Sequence, residues 1–219
     1  MQPREIIENI KLTHPNIQTL YFVGCGASSS ELYPAEYFMR ANAHKLRTGY
    51  FTANEFNYAT PAACDDTAIV IACSLGGNTP ETVAAAKLAR EKGAVVISIT
   101  HDAASPLAAN GDYVIVHGFE KNYAAKLEKM NNVMMLAVEV LNQYEGCELY
   151  EDMVNGYLHI YDAIENAVSY VLPSAKQFAE DYKNESIIYR GDDNSYYEKM
   201  LATGEVKCID EEIPFEIPQ

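Results

Sequence analysis

Two short stretches gather residues able to grip an anion. "GCGASSSE" (24–31) and "CSLGGNTPET" (73–82) each combine glycines with Ser or Thr hydroxyls, and each runs from an apolar segment into a helix-forming one. A helix N-terminus exposes unpaired N–H groups and the positive end of the backbone dipole, so a negative group is held there. Glycine lets the backbone come close, and hydroxyls add donors suited to phosphate oxygens. Neither stretch is a nucleotide P-loop, because no lysine follows in GxxxxGK order; the first also lacks the third glycine of a dinucleotide fingerprint. Taken alone, either loop is explained by Ser28 or Thr79 capping a helix. Two such loops at neighbouring strand ends make a pocket for a phosphorylated small molecule the stronger expectation.

The elements around them set where those loops fall. "TLYFVG" (19–24), "TAIVIAC" (67–73), "AVVISIT" (94–100) and "DYVIVH" (112–117) are short apolar runs, as buried strands are, and "KLRTGYFTA" (45–53) is a weaker fifth. The spacing predicts helices over 29–43 and 79–93, a helical turn at 105–111, and an amphipathic opening helix in "PREIIENIKLTH". Pro80 in the first turn and Gly93 at the end suit the second of these. Strands alternating with helices predict an α/β fold, a doubly wound, mostly parallel five-stranded sheet flanked by helices. Such sheets bind ligands at the carboxyl ends of their strands, near the point where strand order reverses. Beyond residue 121 the pattern turns helical, over 121–144, 150–171 and 173–184, with Met130, Met134 and Met135 read as core packing. The expected division is a phosphate-ligand-binding domain over 1–172, then a helix plus the remnant or start of a second domain over 173–219.

Bulk properties exclude several classes. A net charge of −15 repels nucleic acid and anionic membrane. The five cysteines are odd in number and lack CxxC spacing, so neither a disulfide framework nor a zinc site is indicated, and no metal or cofactor is implied. Cys25 and Cys73 lie in apolar runs, where a reduced thiol acts as a small hydrophobe. No basic-then-apolar leader follows Met1 and no apolar run is long enough to span a bilayer, which points to the cytoplasm.

"YFVGCGAS", "IACSLGGNTPETVAAAKLAREKGAVVISIT" and "SPLAANGDYVI", in that order, resemble a sugar isomerase (SIS) domain over roughly residues 15–145. The resemblance implies a flavodoxin-like sheet and assigns phosphate binding to Ser28, Ser74 and Thr79. Gly26 and Gly77 would shape the loops, and Gly76 would offer its backbone N–H. Ala27, Leu75 and Gly76 depart from the glucosamine-6-phosphate synthase branch, which has threonine, glutamine and a second serine there. "CG-x-S…YPA" and "GNTPET" are closer to the phosphosugar deglycase branch, which acts on 6-phosphorylated fructose–amino-acid adducts. The resemblance therefore implies a deglycase or aldose–ketose isomerase, a phosphosugar ligand and a homodimer.

Sugar enolisation also needs groups that move protons, and here the chain departs. In that branch the resemblance places the acid/base pair in a second-domain "GE-x-x-HGP"-like segment. "ESIIYRG" (185–191) looks like the opening strand of such a domain, but no histidine lies between "GE" (204–205) and "PFEI" (214–217). Glu205 and Glu216 are given no catalytic role, and the catalytic residues remain unassigned. His101 follows a strand on the ligand side but is read as structural, and Glu81 as favouring its helix dipole. The alternative is a non-catalytic sugar-phosphate-binding module.

Overall fold

The computed structural model describes residues 2–118, 123–190, 196–200, 203 and 206–209. Contacts separate two units, Met1–Ile160 and Tyr161–Gln219. The first runs α1 (Pro3–Thr13), β1 (Thr19–Gly24), α2 (Gly26–Ser30), α3 (Tyr33–Asn42), β2 (Arg47–Thr52), α4 (Ala53–Tyr58), β3 (Ala68–Cys73), α5 (Pro80–Glu91), β4 (Val95–Thr100), α6 (Pro106–Ala109), β5 (Tyr113–Val116), α7 (Tyr123–Tyr144) and α8 (Tyr150–Leu158).

Alternation along the central strands decides the layers. Leu20 and Phe22 of β1, Ile69 and Ile71 of β3, and Ile97 and Ile99 of β4 join one buried cluster. Tyr21, Val23, Val70, Ala72 and Val96 point the other way into a second. A strand buried on both faces requires helices on both sides. Ile6 and Ile10 of α1, Phe38 and Met39 of α3, and Val133, Leu136 and Val140 of α7 cover the first face. Phe56 of α4, Ala85, Ala86 and Ala89 of α5, and Leu107 of α6 cover the second. Met135 is buried in the first cluster and Met134 packs against it.

The sheet order is β2-β1-β3-β4-β5, and all four pairings are parallel, so the doubly wound five-stranded sheet expected from the sequence is present. The chain leaves β1 for β2 on one side and returns to β3 on the other. Strand order thus reverses between β1 and β3, whose last residues, Gly24 and Cys73, are paired in register.

Three local predictions change. The helix expected over 29–43 is two helices, α2 and α3, with Pro34 in the first turn of α3. A continuous helix would put Pro34 in its interior, where the missing N–H and the ring clash break it. Helix α4 was not anticipated, although "TANE" is a capping box: the Thr52 hydroxyl accepts the Glu55 N–H and the Glu55 carboxylate accepts the Thr52 N–H. The break expected at 171–173 lies instead near His159, and Pro173 sits inside a helix.

The second unit holds α9 (Ile160–Asp181), which begins at the boundary, and three strands, β6 (Ser186–Arg190), β7 (Tyr196–Met200) and β8 (Val206–Ile209). They form an antiparallel sheet in the order β6-β7-β8. Glu205 and Glu216 lie outside the described residues. Among the described residues no helix is long and apolar enough to cross a membrane.

Candidate functional site

The loop after β3 is laced to its neighbours through its own backbone. Ser74 N–H donates to the Ile99 carbonyl (3.1 Å), Gly77 N–H to the Ser74 carbonyl (3.1 Å) and Leu107 N–H to the Gly77 carbonyl (3.0 Å). The Leu75 carbonyl accepts from the His101 N–H (2.9 Å) and the Thr100 hydroxyl (3.0 Å). Gly77 is required twice over. Its φ is +66°, and a Cβ there would lie 2.1 Å from Ser105 Oγ. A Cβ at Gly76 would make only ordinary van der Waals contacts, with Asn78 Nδ2 at 3.7 Å and His101 Nε2 at 4.0 Å.

Thr79 occupies the N-cap position of α5 but makes no side-chain cap bond. Its hydroxyl lies 2.9 Å from Ser74 Oγ, so the two oxygens serve each other. Capping alone therefore does not explain Thr79. Pro80 has no N–H to satisfy, and the Thr79 side chain claims none of the remaining first-turn N–H groups of this 12-residue helix.

Side chains hold the loop after β1. Gly26, at φ +54°, turns the chain into α2, which buries Ser28 and Ser29. Ser28 lies inside this helix, not at its cap, which is Cys25. Ser29 Oγ donates to Tyr50 OH (2.7 Å), while Lys129 Nζ reaches across from α7 to donate to Ser28 Oγ (3.4 Å). Lys129 also pairs with the Glu31 carboxylate. It is only 4% exposed, and burial pulls its ammonium down to about 8. The loops touch each other: Thr82 Oγ1 donates to Cys25 Sγ (3.7 Å). Burial pushes the Cys73 thiol up to about 12, so it stays protonated and is no nucleophile at neutral pH.

The fold thus brings Gly26, Ser28, Ser74, Gly76, Gly77 and Thr79 to the carboxyl ends of β1 and β3, beside the point where strand order reverses. His101 stands next to the second loop, where its backbone supports Leu75. Sequence reasoning missed Lys129, although a signal was there. Lys129, Val133, Leu136 and Val140 recur at helical spacing and are all buried, so the lysine interrupts a core stripe.

A cleft of about 640 Å³ lies elsewhere, lined by Asn42, His44, Glu145 and Cys147 among others. There the Glu145 carboxylate accepts the N–H groups of His44, Lys45 and Leu46, a staple that fastens the end of α7 to the segment entering β2. Those contacts hold the carboxylate below its usual range although burial opposes them.

Comparison with known proteins agrees with this fold. Fructosamine deglycase FrlB of Bacillus subtilis is 34% identical over 173 residues, which cover 79% of this chain and 53% of that protein. A candidate phosphosugar isomerase of Salmonella typhimurium LT2 superimposes with a TM-score of 0.77 at 38% identity, over 86% of this chain and 57% of that one. A second, from Bacillus subtilis, gives 0.73 at 32%, over 85% and 57%. The chain spans about half the length of the curated deglycase it matches. Residues 15–141 match the SIS domain, a region that contains both loops and the helix bearing Lys129, and the chain belongs to the SIS domain family.

Proposed function

We propose that this chain binds a 6-phosphorylated sugar–amino-acid adduct between the loops after β1 and β3, and serves a deglycase or aldose–ketose isomerase reaction. One observation carries the reading. The Ser74 and Thr79 hydroxyls pair with each other at the mouth of α5 instead of capping it, within reach of a second hydroxyl loop. A phosphate can take both hydroxyls and the first-turn N–H groups together. The 34% identity to a fructosamine deglycase supports the substrate class. In this reading Ser28, Ser74 and Thr79 donate side-chain hydrogen bonds, Gly76 donates through its backbone, and Gly26 and Gly77 shape the loops. The chain acts as a cytoplasmic homodimer.

Titrating the purified chain with fructose 6-phosphate, then incubating it with a 6-phosphofructose–amino-acid adduct, separates binding from turnover. Binding that weakens in Ser74→Ala, with release of glucose 6-phosphate and free amino acid, is the expected result. Binding without product leaves a sugar-phosphate-binding module. No binding of either compound sinks the phosphosugar reading.

A further inference from the structure

Neither anion-binding loop contains a lysine or arginine, and 24–31 and 73–82 contribute Glu31 and Glu81 to a chain of net charge −15. A phosphate monoester placed between them would meet hydroxyls and N–H groups but no cation from its own motifs. The structure supplies one from 101 residues away in sequence, since the Lys129 ammonium is buried against Ser28. We propose that Lys129 is a positioning residue of this site, fixing the Ser28 hydroxyl as a donor toward the bound phosphate and bringing the balancing positive charge. This rests on the phosphosugar reading above and adds to it a residue outside both loops.

The direction of the hydrogen bond carries the argument. An ammonium has three donors and no acceptor, so in the Lys129–Ser28 contact Ser28 Oγ must accept. Its own proton is then left for another acceptor, and the nearby Cys73 sulfur is a weak one. A phosphate oxygen is a far better acceptor, and the adjacent positive charge strengthens the O–H that it would receive. Until ligand arrives, Glu31 neutralises the ammonium, so the fold does not bury a lone charge.

A purely structural role, in which the ion pair only ties α7 to the turn after α2, makes a different prediction. Losing either partner would then weaken the site in the same direction. If Lys129 acts on the phosphate, its two partners separate in sign. Calorimetric titration of the full chain with fructose 6-phosphate at neutral pH distinguishes them. Lys129→Met is expected to weaken binding about tenfold or more, the worth of a charge-assisted hydrogen bond. Glu31→Gln, which removes the negative charge paired with Lys129, is expected to tighten it about threefold. Ser28→Ala combined with Lys129→Met should lose little beyond the larger single effect, because the lysine acts through the hydroxyl.

Wild-type binding in Lys129→Met, or equal or weaker binding in Glu31→Gln, overturns the assignment of Lys129 while leaving the phosphosugar reading intact. Absence of fructose 6-phosphate binding by the wild-type chain removes that reading and this one with it. Should Lys129→Met fail to fold, Glu31→Gln alone decides.

Discussion

The loop after β3 is held by backbone hydrogen bonds to the end of β4 and to α6, and its two hydroxyls bond to each other. The loop after β1 is held by side chains, with Lys129 on Ser28 and Tyr50 on Ser29. Residues 73–107 contain nearly every partner of the later loop. The earlier one depends on β2 and on a helix more than a hundred residues further along the chain. A motif that carries its own supports is recognisable as a string of letters. One that borrows them is recognisable only in its glycines and serines.

That contrast can be broken most forcefully at Gly77. Gly77→Ala forces a side chain into a left-handed backbone and against Ser105, and should destabilise the fold by about 2–4 kcal/mol, read as a lower melting temperature. In the earlier loop Gly26→Ala carries the same left-handed backbone strain but meets no atom within 4 Å, so a smaller loss is expected there. Next in size, Ser74→Ala and Thr79→Ala should each weaken fructose 6-phosphate binding about tenfold while the melting temperature changes little. A thermal loss as large as that of Gly77→Ala would mean that the hydroxyl pair holds the loop together, contrary to the backbone account.

The earlier loop should carry a pH signature that the later one lacks. With the Lys129 ammonium drawn down to about 8, its help to a phosphate is fully present below that pH. A bound dianion raises the value, so affinity is expected to fall as pH rises from about 8 toward the bound-state pKa. Facing charges modulate this: Glu31 is paired with the ammonium, while the Glu128 carboxylate is turned to the Gly118 N–H. Titrations at stepped pH should show the decline in wild type and a flat profile in Lys129→Met. The smallest effect belongs to Gly76→Ser. The absence of any close contact there predicts a stability change within about 0.5 kcal/mol and equal or tighter phosphosugar binding.

Much of the sheet was legible because its signal is local. Continuous apolar runs marked β1, β3, β4 and β5, and Pro80 and Gly93 bounded α5. The split between α2 and α3 turned on a single proline, which is tolerated in a first turn and excluded from an interior. Helix α4 went unseen because six residues give too little periodicity, and only its capping box announces it. Thr79 shows the harder limit. A threonine before a helix reads as a cap, and only three-dimensional placement reveals that its hydroxyl turns to Ser74. Lys129 was readable as an anomaly in a buried stripe, but its partner could not be named from spacing 101 residues apart.

The Ser74–Thr79 pair also bears on the unliganded protein. Neither oxygen is among the buried polar atoms left without a partner, so the pair places no unsatisfied hydroxyl against the core. On the proposed reading, phosphate entry would exchange that one neutral bond for two to an anion. The gain would then be concentrated in the bound state, while the pair keeps both hydroxyls satisfied without a phosphate.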